Sequence, residues 1–262
     1  MNPHAAALEL DWASSEYVLR WLGRTPDVSI TPFGAARAMC TPDSPEVDFL
    51  NTVHRLLPDD AEHVPQIARH YADAGVQPWV EMMPAPGFDR LAEALAAAGG
   101  RHIGFYAMSE RDLAAPPPSR LPDGVTIEAV GSDVEDFARI RSVGHEVPEE
   151  HLDDAIRRSR ECAGVQGAQL YLARVDRLPA AAAVLFLAPP VAYLADAATV
   201  AEHRRRGCQT ALIRHRLADA AAAGCTRAAV ITEWGSQSHI NVARAGFRGA
   251  YTKVVWRLGA EF

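Results

Sequence analysis

From Val125 onward, apolar runs alternate with helical stripes, and that order is the clearest feature of the chain. Val125–Val130 reads as a strand. Asp133 is placed to cap a helix running from Val134 toward Val143. Glu149–Cys162 is a second helical stretch, charged on one side. Ala168–Val175 alternates as a strand does, and Asp176-Arg177-Leu178-Pro179 turns the chain. Ala180–Leu187 is unbroken apolar sequence, as a strand buried on both faces requires. Pro189-Pro190 ends it, and Val191–Val200 resumes as the next strand. Beyond Gly207, Ile213, Leu217, Ala220 and Ala221 share one helical face, while Cys208, Ala211, Leu212, Ala218 and Ala222 form another. Two apolar faces predict a helix buried between layers, ended by Gly224. Arg227–Thr232 is a strand, Ser238–Ala245 a short helix, and Phe247–Leu258 the closing strands.

The first half is less regular. Glu46–Leu57 holds strand-like sequence, Pro65–Ala74 a helix, Pro78–Met83 a short strand, Phe88–Ala98 a helix ending at Gly99-Gly100, and Ile103–Met108 a strand. Helix, glycine, strand is also how the second half ends, around Gly246-Phe247, which is a weak internal repeat. Between the halves, four prolines and a glycine fall within Ala114–Gly124, a stiff extended linker. The expected division is residues 1–115, a linker at 116–123, and residues 124–262.

With 262 residues, 48% apolar and 23% charged, the chain has material for two ordinary cores. A net charge of −7 leaves no basic excess to displace counterions, which argues against a nucleic-acid partner. Four scattered cysteines without a C-x-x-C pair, and histidines without ligand spacing, argue against a disulfide framework or a metal. Met1–Leu10 lacks the basic start and long apolar run of a signal peptide, and no apolar run is long enough for a membrane span. The expectation is a soluble cytoplasmic protein with no membrane partner.

The candidate chemistry sits where the strand Val191–Val200 runs into Glu202-His203-Arg204-Arg205-Arg206-Gly207-Cys208-Gln209. The first amides of a helix have no internal acceptors and lie at the positive end of its dipole. With three arginines before it, and a glycine to let a phosphate approach, the segment reads as a pyrophosphate cradle. The plainer reading is a solvated basic turn. A carboxylate inside an apolar strand, Asp196, also needs an explanation. Cys208, at a helix start, is more readily a packing residue than a nucleophile.

The turn resembles the Q/R-x-x-G-x-G/A motif of the GNAT superfamily of acyl-CoA-dependent N-acyltransferases, and Gly246-Phe247 resembles the family's later G-F. The resemblance covers the second half. The first half resembles a degenerate copy without the cofactor loop, as in tandem GNAT proteins. Two positions depart from the pattern. Gln209 stands where the motif has Gly or Ala, and Val242 stands where many members place an acidic tyrosine four residues before the G-F.

The resemblance implies an α/β (α+β) fold of two tandem GNAT-like domains, each a mixed, mostly antiparallel sheet flanked by helices. It implies acetyl-CoA or another acyl-CoA as co-substrate, with no metal. The acyl group would pass directly to a primary amine of a small molecule or peptide. Strand residues Ala198, Thr199 and Val200, turn and helix residues Arg204, Arg205, Arg206, Gly207, Cys208, Gln209, Thr210 and Ala211, and Asn241 near the pantetheine arm would hold the donor. Splayed strand amides would polarise the thioester. Base candidates are Asp196, Glu202, Glu233, and Glu146 with His145; Tyr251 is the substitute acid. A silent acyl-CoA sensor, an acyl carrier protein as donor, and a homodimer stay open.

Overall fold

The computed structural model describes residues 3–115, 120–131, 134–145 and 147–259. The expected cap Asp133, the base candidate Glu146 and the linker residues Pro116–Ser119 lie outside the described residues. In chain order the elements are α1 (Pro3–Leu22), β1 (Ser29–Phe33), β2 (Ala36–Cys40), β3 (Thr52–His54), α2 (Val64–Asp73), β4 (Trp79–Met82), α3 (Phe88–Ala97) and β5 (Arg101–Asp112). Then follow β6 (Val125–Ala129), α4 (Glu135–Gly144), α5 (Leu152–Ala163), β7 (Ala168–Val175), β8 (Leu178–Ala188), β9 (Val191–Thr199), α6 (Cys208–Ala222), β10 (Arg227–Glu233), α7 (Gln237–Arg244) and β11 (Arg248–Arg257). Mixed α/β structure with mostly antiparallel pairing is the class the sequence led us to expect.

The chain forms two compact units. Unit 1 runs to Met108 and adds Thr232–Ser236 and the segment from Gly249 onward; unit 2 comprises Ser109–Ile231 and Gln237–Arg248. In unit 1, β1, β2 and β3 pair antiparallel in turn, β3 and β4 pair parallel, and β11 pairs antiparallel with β4. Its core includes Val53, Val80, Met82, Ile67, Leu91 and Leu95, with Leu258 from the end of the chain. The closing strand, read from sequence with the second half, thus packs in unit 1.

A buried charged cluster explains part of that choice. Lys253 Nζ lies 2.8 Å from Asp11 Oδ1 and 2.9 Å from Glu81 Oε2, and its side chain is 3% exposed. The Tyr251 hydroxyl donates to Asp11 at 3.1 Å. A lysine so enclosed must stay paired, so α1, β4 and β11 are bound to one another through it. Burial opposes its charge, but the two carboxylates prevail and hold its pKa well above the ordinary lysine range.

Unit 2 follows the sequence pattern closely. The strands β6, β7, β8 and β9 pair antiparallel, and β10 adds to β9 in parallel. The run Ala180–Phe186 is buried throughout, as its unbroken apolar character required. Alanines there leave shallow faces on which helices can lie close. On β9, a Cβ added to Gly144 at the end of α4 would come 2.3 Å from Ala198 Cβ. On α6, the Arg216 side chain is fully buried and donates to the carbonyls of Leu212, Val184 and Ala195. Burial lowers its pKa to about 10, which still leaves it charged at neutral pH. This cross-brace ties α6 to β8 and β9.

Candidate active site

The site grows from an irregularity in β9. Ala182 pairs with Ala198 and Val184 with Ala195, so β9 carries one residue more than β8 over this stretch. The bulge holds Asp196 in the left-handed region, at φ 47°. Asp tolerates that conformation better than most residues, and bulges re-aim side chains out of the ladder. The Asp196 carboxylate then lies 3.6 Å from the Arg141 guanidinium of α4, both half-buried. A carboxylate in an apolar strand is thereby explained by a bulge and a cation.

On its other side β9 loses its neighbour. Its pairing with β10 covers Val191 with Arg227, Ala192 with Ala228 and Tyr193 with Ala229, and stops there. Leu194–Thr199 therefore run on beside β8 alone. The Val200 amide donates to the Ala180 carbonyl, so Val200, expected among the donors to the co-substrate, has its N–H engaged within the sheet. Amides alternate in direction along a strand, so Ala198 also points toward β8 while Thr199 points to the open side. Of the three strand residues singled out in the sequence, Thr199 has the free-facing N–H.

The turn after β9 opens α6 as the sequence predicts. Arg205 and Gly207 both have positive φ, 63° and 81°, and Gly207 is the N-cap. The first helical bond runs from Ala211 N–H to Gly207 O at 3.0 Å, so the amides of Cys208, Gln209 and Thr210 face out of the helix start. Arg204, Arg205 and Arg206 are exposed around it, Arg206 lying 3.5 Å from Asp176. Three outward amides, a positive dipole and three guanidiniums fit a diphosphate. A Cβ on Gly207 would lie 2.8 Å from Pro122 Cγ, so its own φ and the close approach of Pro122 each call for glycine there.

Gln209 also finds a use. Its Oε1 accepts from Asn241 Nδ2 at 2.5 Å, and Asn241 Oδ1 accepts from Gln237 Nε2 at 3.0 Å. The residue that departs from the motif thus links the start of α6 to α7. Cys208 is buried in the unit 2 core, and burial pushes its thiol up against a lesser pull from Arg206; that is a packing residue. Two expected site residues fall in unit 1. Tyr251 is half-buried there and bonded to Asp11, and its pKa is driven well up by burial. Glu233, exposed at the end of β10, also falls in unit 1. Arg141, Gln237 and Arg216 carry no mark in the sequence of the partners they find, Asp196, Asn241 and the carbonyls of β8 and β9. Nothing local sets such a helical arginine or glutamine apart; only the folded neighbours do.

Residues 134–247 match the acetyltransferase (GNAT) family model. The chain has a GNAT superfamily fold. A GCN5-related N-acetyltransferase from Kribbella flavida is similar over 95% of this chain and 96% of its own, at 18% identity and a TM-score of 0.65. A tandem GNAT protein from the clavulanic acid biosynthesis pathway is similar over 98% and 95%, at 15% identity and a TM-score of 0.67. A GNAT-family acetyltransferase from Colwellia psychrerythraea is similar over 95% and 96%, at 14% identity and a TM-score of 0.57. No curated protein matches the sequence. The matched family supports an N-acetyltransferase-type function, and among the described residues no helix is long and apolar enough to cross a membrane.

Proposed function

We propose that unit 2 binds acyl-CoA, acetyl-CoA in the first instance, and transfers its acyl group directly to a primary amine of a small molecule or peptide. The observation that carries this reading is the parting of β9 from β10 after Tyr193 and Ala229, beside a bulged carboxylate and leading to an anion-binding helix start. The amides of Cys208, Gln209 and Thr210 and the arginines Arg204–Arg206 hold the diphosphate. Asn241 and Thr199 N–H align the pantetheine arm and the thioester carbonyl, where an oriented donor stabilises the developing oxyanion. Asp196, positioned by Arg141, attracts the ammonium and takes its proton. The amine nitrogen then forms a bond to the acyl carbon, the carbon–sulfur bond breaks, and the second proton that the nitrogen sheds passes through water to the thiolate. Unit 1 is read as a degenerate GNAT-like copy that binds no donor.

A second reading has its own support. Val242, at the position of the family's usual tyrosine, is only 4% exposed, and Tyr251 is engaged with Asp11; a silent acyl-CoA sensor would look like this. The deciding experiment is a thermal shift with acetyl-CoA and longer acyl-CoAs, followed by thiol release with a panel of amines. Ligand binding to the native state raises the midpoint with concentration. A shift with amine-dependent thiol release supports the transferase, and a shift without release supports the sensor. No shift at millimolar acyl-CoA overturns both and points to an acyl carrier protein as donor.

A further inference from the structure

Arg216 is 1% exposed. Among the described residues its hydrogen-bond partners are carbonyl oxygens alone: Leu212 on its own helix at 3.2 Å, Val184 on β8 at 2.8 Å and Ala195 on β9 at 3.2 Å. A guanidinium enclosed without a carboxylate among its partners gives up its hydration with no paired charge to offset the loss. A methionine or leucine would brace α6 against the sheet at less cost. Packing alone therefore does not account for an arginine at this position.

What the guanidinium holds does account for it. Val184 and Ala195 are the last pair in register before the β9 bulge, and one nitrogen, Arg216 Nη1, donates to both of their carbonyls. In an unbroken ladder the carbonyls lie in the sheet and point at the neighbouring strand, where a helix on the sheet's face does not reach them. A bulge disrupts the ladder and bends the strand, which turns local peptides out of that plane. The Ala195 carbonyl belongs to the peptide that ends at the Asp196 nitrogen. Fixing it fixes the plane from which Asp196 turns to its φ of 47°. We propose that Arg216 is a positioning residue for acyl transfer: it locks the Ala195–Asp196 peptide in the bulge and so keeps the Asp196 carboxylate turned toward Arg141 and the acceptor amine. This rests on the reading of Asp196 as the group that takes the amine's proton. Enclosed as it is, Arg216 acts through the strand and not on a substrate.

The test compares Arg216→Met, Arg216→Lys and Asp196→Asn in the full chain, assayed with acetyl-CoA and the amine that gives thiol release. Methionine fills the space without the donors. Arg216→Met is expected to keep the acetyl-CoA thermal shift and to hold KM for acetyl-CoA within about twofold, while kcat falls about tenfold or more, as a misaimed group costs. In the Asp196→Asn background the same change is expected to lower kcat no further, because the two residues act as one unit. The lysine ammonium carries three donors for the same two carbonyls, so Arg216→Lys is expected to recover most of the kcat lost in Arg216→Met. A crystal structure of Arg216→Met is expected to show Asp196 outside the left-handed region. Unchanged kcat in Arg216→Met beside an impaired Asp196→Asn overturns the proposal, and so do additive losses in the double variant. Full activity in Asp196→Asn removes the base reading instead. The crystal structure reads the positioning role without turnover: an intact bulge in Arg216→Met, with Asp196 still against Arg141, overturns it. Where Arg216→Met does not fold, Arg216→Lys carries the test, and unchanged kcat in a lysine variant whose bulge has relaxed overturns the proposal.

Discussion

Asp196 holds a backbone conformation that few side chains accept, in a strand that has lost one neighbour. Strain of this kind concentrates where a side chain must be aimed. Asn accepts the same conformation and lacks the charge, so Asp196→Asn is expected to lower kcat by about a hundredfold or more while stability changes by less than about 0.5 kcal/mol. Steady-state kinetics beside a urea unfolding curve check it; unimpaired kcat would remove Asp196 as the base. Lys253 makes the opposite case. Lys253→Ala leaves Asp11 and Glu81 buried without their cation and is expected to cost about 3–5 kcal/mol, read as a fall in the urea midpoint. Both carboxylates and the lysine are visible in the sequence. Nothing there pairs residues so far apart along the chain.

Helices and strands in unit 2 were legible because each buries a whole face. α6 has two apolar stripes and a positive-φ glycine before it, and β8 is apolar end to end. The helix α1 escaped notice because its buried face is mixed: Asp11, Ser14 and Ser15 are as enclosed as Leu10 and Tyr17. Polar residues on a buried face erase the periodicity on which such readings depend. The Gln209–Asn241 bond makes a prediction about elements. Asn241→Ala frees the start of α6 from α7 and is expected to raise KM for acetyl-CoA several-fold with a smaller effect on kcat, measured with the amine saturating. Gly207→Ala must place a Cβ at φ 81° and against Pro122. It is expected to lose about 1–3 kcal/mol of stability as well as donor affinity, so a thermal melt without ligand accompanies its binding curve.

Across the whole chain, stability should depend on pH in a definite order. His54 is buried, and burial lowers its pKa below the ordinary 6.5. The unfolded state therefore binds the proton more readily, and stability falls as pH drops from 6.5 toward the folded pKa. Glu81 and Glu16 are held below 4.5: Lys253 outweighs burial at Glu81, and the Arg55 and Arg20 hydrogen bonds do so at Glu16. Their contribution, present above 4.5, is lost on further acidification. Lys253, held well above 10.5, contributes fully below that pH and loses its effect only as pH rises through its folded value. Urea midpoints from pH 4 to 8 test this, and His54→Gln is expected to flatten the slope just below 6.5. A chain ended at Arg248 should lose unit 1 cooperativity, since β11 supplies Lys253 and Leu258 to that unit. Hydrogen exchange that stayed slow in β4 of the truncated chain would contradict this.

What the sequence determined by itself was local: which segments alternate, which bury both faces, and where a helix begins after a strand with arginines and a glycine. Those features depend on neighbours within a few residues, and they were enough to suggest the acyltransferase resemblance and the proposed cradle. Tertiary structure decided the rest. It gave the last strand to unit 1 through a buried lysine, stopped the β9–β10 ladder after three pairs, turned Asp196 out of its strand toward Arg141, and assigned Gln209 to Asn241. Each of these depends on a partner distant in sequence, and the free energy of a buried charge or an open strand edge is set by that partner, not by the residues beside it.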